Sequence, residues 1–430
     1  MSLYHEPFRH ILPKVEVYFQ GRSSAPTVYD NAKVSNIRVL EELSDERGAV
    51  SANEIVVTLD NTDGALSPTV NPLVTIGLPV DVSLGIYNGV DFTYTSFGGT
   101  YLVQDIDAPT GAINVVLVLN DLMFTIGDKD IPALPIHTNV TLGSLFESVF
   151  ALAGLTSAQY TICASSYDLV LPYAWTNGGK VRNVLQKLSE AGNKHTYVGR
   201  DGKIHVADIM VSGIPYATAF TASNQIIDVQ QSPKYSSLFS EAVVRSYQYT
   251  QKIVDDTLTL KDVSVPGSLE RVKTNAPMVH VNRVDITKGT SSFLTALSYS
   301  AEEINMTLDS ELPEVVDVAI NCGVLESVSK DVVRTNPSIP TENSFVVDNS
   351  LIQSDTYAGT YADAMLVLKS DPLAFISMDV RGNPTVVLGQ HIVANYPKYQ
   401  INNQELVVHR MTLSYDGGLE GKIEGYRVVV

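Results

Sequence analysis

Val57-Thr58-Leu59-Asp60-Asn61-Thr62-Asp63-Gly64-Ala65-Leu66-Ser67-Pro68 reads as a β-strand running into a tight turn. Ile55-Val56-Val57-Thr58-Leu59 is β-branched and apolar, as a half-buried pleated surface requires. Asp60, Asn61, Asp63 and Gly64 suit a turn closed by local side-chain hydrogen bonds, and Pro68 keeps the next strand from starting early. From Lys33 to Leu122 the same alternation recurs in short runs. Val34, Ile37 and Val39 open it, followed by Val80-Asp81-Val82-Ser83-Leu84, Thr100-Tyr101-Leu102-Val103-Gln104-Asp105-Ile106 and Ile113-Asn114-Val115-Val116-Leu117-Val118-Leu119. Turns such as Asn88-Gly89 and Pro109-Thr110-Gly111 separate them, the pattern of a β-barrel or sandwich.

Between about 126 and 225 the period lengthens. Thr141 caps a predicted helix carrying Leu142, Leu145, Phe146, Val149 and Phe150, with Gly154 as its stop. A second helix carries Val181, Val184, Leu185 and Leu188 and ends at Gly192. His195-Thr196-Tyr197-Val198 and Lys203-Ile204-His205-Val206 then flank Gly199-Arg200-Asp201-Gly202, which predicts a hairpin. Strand text resumes at Leu238, Ala242-Val243-Val244, Tyr247 and Tyr249. From 260 to 350 the signal weakens to pieces such as Val279-His280-Val281, Val315 to Ile320 and Ser344-Phe345-Val346-Val347, broken by Pro266, Pro313, Pro337 and Pro340. A third helix is predicted from Thr356 to Lys369, stopped before Asp371-Pro372, and strands continue from Phe375 to the end.

The last sixty residues echo the first unit. Gly77-Leu78-Pro79-Val80-Asp81-Val82 corresponds to Gly389-Gln390-His391-Ile392-Val393-Ala394, and Thr100 to Ile106 corresponds to Glu405 to Met411. Two such β units per chain in a three-fold assembly would present six nearly equivalent positions.

On these stretches the sequence resembles the tail hub proteins of tailed bacteriophages, including the trimeric baseplate hubs of contractile tails. Val57 to Pro68 is similar to the strand-and-turn phrase of their first domain. Leu145 to Gly154 and Gly178 to Val206, with the turn Arg200-Asp201-Gly202, resemble the helix, helix and hairpin of the second. Arg381-Gly382-Asn383-Pro384, followed by Val386-Val387-Leu388-Gly389, resembles the start of the last ring-forming barrel. The resemblance implies an α+β, mostly β chain with two related β-barrels. It implies a first barrel over 1–125, an α+β second domain over 126–232, a discontinuous third barrel over 233–260 and 370–430, and an inserted fourth domain over 261–369. In such hubs the first and third domains form a ring under the tail tube, and the second and fourth form a cup below it. The strands at 238–249 would then find partners between 375 and 430.

Composition narrows the function classes. At 430 residues the chain suits three or four units of roughly 100 to 150 residues. Hydrophobic residues make up 44% and charged residues 18%, a balance that favours protein-covered surfaces. The net charge of −18, with no run of five basic residues, lacks the footprint of a duplex-DNA reader. An acidic conduit would let DNA slide past without sticking. Cys163 and Cys322 are too far apart in sequence for a CxxC pair, which argues against zinc spacings and a disulfide framework. His5, Glu6, His10, Lys14 and Glu16 interrupt any secretory signal, and no stretch of eighteen apolar residues predicts a membrane span. Tyr18-Phe19-Gln20-Gly21 faintly resembles a tag-protease scar, but Lys14-Val15-Glu16-Val17 alternates as a native strand does.

Catalytic, cofactor and metal residues are predicted to be none. The histidines His5, His10, His137, His195, His205, His280, His391 and His409 form no HExxH, and no GxSxG, P-loop or GxGxxG occurs. His195 and His205 share a hairpin and would meet on one face in the right register, without an evident third ligand. Asp60 and Asp63 miss the EF-hand spacing and suit a turn. Trp175 is the sole tryptophan, whereas 21 tyrosines supply either interfaces or a sugar platform. The expectation is therefore a non-enzymatic virion protein, assembled in the host cytoplasm. It would be a homotrimeric hub that joins the six-fold tail tube or distal tail protein to a three-fold spike, fibre or tape-measure protein around the DNA passage. The alternative is a tail-associated carbohydrate-binding or cell-wall-degrading protein. Because the sequence stops at Val430, just after the last strand text, no fused cell-wall enzyme is expected.

Overall fold

The structure, a computed structural model, describes the chain apart from residues 1–9, 44–49, 99–100, 110–111, 209–217, 222–224, 232–237, 262–268, 274–275, 289–290, 293, 302, 309–314, 340–342, 370–374 and 428–430. His5, Glu6, Thr110, Gly111, Pro266, Pro313, Pro340 and the Asp371-Pro372 stop lie outside the described residues. The chain begins with β1 (Ile11–Val17), β2 (Thr27–Tyr29), β3 (Val34–Glu42), β4 (Glu54–Asp60), β5 (Pro79–Tyr87), β6 (Phe92–Ser96), β7 (Tyr101–Asp107) and β8 (Asn114–Asn120). Then come α1 (Leu122–Gly127), β9 (Asp130–Ile131), β10 (His137–Thr141), α2 (Leu142–Leu152), β11 (Tyr160–Ile162), α3 (Ser165–Asp168), β12 (Val170–Ala174), β13 (Gly179–Lys180), α4 (Val181–Gly192), β14 (Lys194–Val198) and β15 (Ile204–Asp208). They are followed by β16 (Thr218–Thr221), β17 (Ile226–Gln230), β18 (Glu241–Lys261), β19 (Leu269–Lys273), β20 (Met278–Lys288), β21 (Ser291–Ser292), β22 (Leu294–Tyr299), β23 (Glu303–Leu308), β24 (Val315–Thr335) and β25 (Ser344–Asp348). The chain closes with α5 (Asp355–Lys369), β26 (Phe375–Arg381), β27 (His391–Tyr396), β28 (Ile401–Tyr415) and β29 (Leu419–Arg427).

The α+β, mostly β class is as the sequence predicts, but the two β units are not separate barrels. One 14-stranded sheet runs β17-β26-β29-β28-β3-β4-β8-β7-β5-β1-β2, with β6 on β5 and β27 joining β16 to β28. No closed barrel forms among the described residues. The reason is the use of β3, whose outer edge pairs antiparallel with β28 from Ile37↔Tyr415 to Glu42↔Arg410 and is not available to ladder onto β1. The cores of the two units therefore merge. Val39, Ile55, Val57 and Leu119 of the first lie in one apolar cluster with Ile376, Met378, Met411 and Ile423 of the third.

Strand partners differ from expectation in one region. The strands at 238–249 do not pair with 375–430. β18 runs antiparallel to β24 along all 21 of its residues and parallel to β25. It is β16 and β17 that join the last sheet, on β27 and β26. Alternation marks a strand but carries no address for its partner, which is why text alone misassigned it. Pairing thus moves residues 218–230 to the third unit and 238–260 to the inserted one.

The α+β unit follows its local signals. The Thr141 hydroxyl accepts from the Ser144 N–H at 3.2 Å at the start of α2, and Gly154 ends the segment at φ +85°. α4 stops at Asn193, which takes the left-handed conformation itself at φ 55°. Leu145, Phe146, Phe150, Leu185 and Leu188 pack into a second cluster with Ala242, Val244, Tyr361 and Met365 from β18 and α5. The α+β unit and the inserted unit share this core. Polar clamps finish the seam. The Asn349 amide donates to the Lys187 carbonyl at 2.8 Å, and Tyr357 donates to the Ala191 carbonyl at 2.9 Å. The Gln353 amide bonds both the N–H and the carbonyl of Tyr173 on β12.

Candidate functional site at the junction of the β units

The echo between the two β units is a match of hydrogen bonds. In the first, Gly77 donates to the Val103 carbonyl at 2.7 Å and Val103 donates back to Leu78 at 2.9 Å. In the third, Gly389 donates to Val408 and Val408 donates back to Gln390, both at 2.9 Å. Both glycines sit in the left-handed region, at φ +85° and +71°, where a side chain costs about 1–2 kcal/mol. Each corner is followed by a bulge, between Val103 and Asp105 on β7 and between Val408 and Arg410 on β28. A second pair of bulges matches as well, between Val34 and Asn36 on β3 and between Ile226 and Asp228 on β17. The orders β3-β4-β8-β7-β5 and β17-β26-β29-β28-β27 then correspond strand for strand. Bulges re-aim a strand and fix its register, so two in corresponding places mark one design used twice.

Arg200, at the turn between β14 and β15, enters the seam where β28 meets β3. Its Nε and Nη2 donate to the two carboxylate oxygens of Glu41, each at 2.7 Å, and its Nη1 donates to the Pro384 carbonyl. The guanidinium lies 4.9 Å from the centroid of the Phe97 ring, and Nη2 comes within 3.9 Å of Met411 Sδ. Only 10% of the Arg200 side chain and 3% of that of Glu41 remain exposed. One side chain of the α+β unit thereby holds both β units by a planar, two-pronged contact that Lys cannot reproduce. Two stretches singled out in the sequence, the Arg200 turn and Arg381 to Pro384, meet here. Asn383 shapes the second, its Oδ1 accepting from the Thr385 N–H at 3.0 Å.

Glu41 was not picked out by sequence reading. The signal was present: Ile37 and Val39 set the inward parity of β3, and that parity points Glu41 into the core. Beside the junction lies a cleft of about 240 Å³, walled by Tyr197, Arg200, Asp201, His205, Val387 and Leu388. A second seam reaches the same hairpin. Asp121 caps α1, accepting from Met123 N at 2.9 Å and from Asn53 N at 2.8 Å, and Asn53 donates on to the Val198 carbonyl at 2.9 Å. Burial pushes the Asp121 carboxyl up to about 7.

The residues weighed for chemistry are placed as follows. The register Tyr197↔His205 and His195↔Ala207 puts both hairpin histidines on one face. The His205 ring stacks on Tyr197 at 5.4 Å, and its Nε2 faces Asp201 Oδ1 at 2.9 Å. Among the described residues no group of three or more His, Cys, Asp or Glu is arranged to hold a metal ion. Asp60 and Asp63 accept from Thr62 N and Ala65 N, each at 3.0 Å, and Lys33 Nζ lies 2.8 Å from Asp63. These contacts hold both carboxyls below their ordinary range, through the Thr62 N–H for Asp60 and Lys33 for Asp63. Cys163 is half-buried, 3.3 and 3.2 Å from the hydroxyls of Ser165 and Ser166, and Cys322 is buried in β24. Trp175 is buried edge-on to Tyr249 at 5.3 Å, in the seam with the inserted unit. Among the described residues no helix is long and apolar enough to cross a membrane.

No protein-family model matches the chain, and no curated protein matches its sequence. Solved structures do match, almost end to end. The 43 kDa tail protein of prophage MuSo2 from Shewanella oneidensis superposes with a TM-score of 0.56 at 10% identity, over 97% of this chain and 98% of that one. A tail protein from Neisseria meningitidis MC58 superposes with a TM-score of 0.57 at 10% identity, over 97% and 96%. This chain has the fold of phage tail proteins. At one residue in ten identical, what is shared is the backbone plan.

Proposed function

We propose that the chain is a structural component of a phage tail, a hub that closes into a trimeric ring between a six-fold tail tube and a three-fold spike or fibre. The observation that carries this reading is the repeated five-strand unit with one internal joint. Within the chain, β28 of the third unit passes its bulge and pairs with β3 of the first. By the same plan β7 should pass its bulge and pair with a β17. Among the described residues the far edge of β7 beyond Gln104 and the far edge of β17 each lack a strand. The two half-joints are complementary in kind, lie on one chain and point head to tail, the arrangement that closes rings of identical copies. Three copies would supply six equivalent β units.

On this reading the α+β unit and the inserted unit, which share a core, form the second layer. Neighbouring tail tube, distal tail, spike, fibre or tape-measure proteins are the partners, and the acidic chain surrounds DNA in transit without holding it. Its free energy lies in interfaces, and its role is structural and not catalytic, carried in the virion tail after assembly in the host. Light scattering of the purified chain at two concentrations tests it. A mass of about three times the 46.7 kDa chain supports the ring. A monomer that neither trimerises alone nor adds to tail tubes overturns it.

A further inference from the structure

We propose that the outer face of β1, β5 and β6 is a binding surface for an uncharged polysaccharide, a function separate from ring closure. Strand register sets the surface out in rows. Phe92 lies opposite Tyr87, with His10 beyond it; Gly85 lies between Leu12 and Tyr94; Ser83 lies between Lys14 and Ser96; and Asp81 lies beside Glu16. One end of the face is therefore aromatic and the other polar.

Gly85 explains the shelf. A Cβ there would stand 2.8 Å from the Tyr94 ring, so the ring lies against the bare strand, with the Lys14 ammonium 5.8 Å from its centroid. Tyr94 stays 45% exposed and Tyr87 42%. Ring centroids step by 5.2 Å from Tyr87 to Phe92 and 6.4 Å from Phe92 to Tyr94, with planes tilted by 47° and 43°. A run of rings about one sugar unit apart, each twisted from the last, suits the C–H faces of a coiled glycan chain. Hydroxyl partners stand at the other end. Lys14 pairs with Glu16 at 2.9 Å, Arg22 grips Asp81 at 2.7 and 3.1 Å, and Tyr18 donates to Asp81 at 3.0 Å. A few fixed polar groups beside an apolar shelf orient a ligand in this way.

Charge selects the class of occupant. The two cations and two carboxylates of this end cancel in pairs, within a chain of net charge −18. An anionic polymer is repelled by the chain and, among the described residues, meets the two cations of this end already paired, and a charged protein surface meets their carboxylates paired as well. A neutral glycan needs neither. The test is retention of the full-length protein on an array of neutral oligosaccharides, with uronate- and phosphate-bearing ones beside them. Retention on neutral spots, with affinity falling about tenfold in Tyr94→Ala and in Tyr87→Ala and unfolding temperatures unchanged, supports the proposal. Retention only on charged spots, no retention above the Tyr94→Ala background, or indifference to both substitutions overturns it. So does a change in mass by light scattering in Tyr94→Ala without glycan binding, which would assign this face to contact between copies.

Discussion

The first and third β units share five strands, a glycine corner and two bulges, yet their ends serve different purposes. β7 runs seven residues and stops at Asp107, whereas β28 runs fifteen and carries on into the ladder with β3. β8 delivers the chain into Asp121, which caps α1 and opens the α+β unit; β29 lies between β26 and β28. The repeated part supplies the core, and the differing ends supply the joints. Architecture in such a chain is governed less by the units than by what is attached past each bulge.

The joint between the units is the place to strike first. Arg200→Ala leaves the Glu41 carboxylate buried without its cation, and removing one partner of a buried pair costs about 3–5 kcal/mol. The loss is read from the denaturant midpoint. Glu41→Leu together with Arg200→Met should recover much of it, since an apolar replacement of both partners is tolerated where a half-pair is not. If Arg200→Ala is nearly silent, the joint rests on the β28–β3 ladder alone, and the α+β unit is a passenger.

A second test uses one position in both units. Asn61 and Gly382 follow equivalent strands, and each donates its N–H to an equivalent carbonyl, Ile113 at 2.7 Å and Leu419 at 3.2 Å. Asn61 has room for a side chain and uses it, accepting from Leu66 N at 2.8 Å. At Gly382 an added Cβ would lie 2.7 Å from the Glu420 carbonyl oxygen. Gly382→Ala should therefore cost about 1–3 kcal/mol through backbone displacement, and more than Asn61→Ala. Equal costs would mean that the third unit relaxes as freely as the first.

The end of β8 brings pH into the comparison. Burial raises the Asp121 carboxyl from 3.8 to about 7, against the pull of the Asn53, Phe124 and Met123 N–H groups. A raised folded-state value means that the folded chain keeps a proton that the unfolded chain releases near pH 4. That contribution is complete below about pH 4 and lost as pH rises through about 7. Wild type should lose urea resistance between about pH 4 and 7 relative to Asp121→Asn, which caps α1 without titrating. Parallel curves would show that the three N–H groups keep the carboxylate ionised. Compared with Asp121→Asn, which titrates no more than alanine does, Asp121→Ala should cost about 1–2 kcal/mol at any pH, the loss of a cap.

How far the sequence reached follows the same division. Strand alternation at Ile55 to Leu59 and Leu406 to Leu413, the Thr141 cap and the Gly77/Gly389 echo are local signals, and each was legible. Partners were not. β18 alternates as well as β26 does, but nothing in its letters says that it pairs with β24, since any alternating strand offers the same ladder. Arg200 was quoted for its turn, and Glu41 passed unnoticed among Arg38, Glu42 and other charged neighbours. A buried ion pair joining residues 159 apart in sequence leaves no periodic trace.

The smallest effect is the most direct check that one plan was used twice. Gly77 and Gly389 hold corresponding left-handed positions, and an added Cβ meets nothing within 4 Å at Gly77 and only the Tyr197 hydroxyl, at 3.5 Å, at Gly389. Contact then plays little part, and Gly→Ala at either site should cost the same strain, about 1 kcal/mol. The double variant should cost the sum, because separate sites without shared partners add. Matching single costs would support the correspondence of the two corners as mechanical elements. A clearly larger loss at Gly389 would show instead that Tyr197, from the α+β unit, presses on the third unit's corner as Arg200 presses on its joint, and that the second copy of the plan stands only with that support.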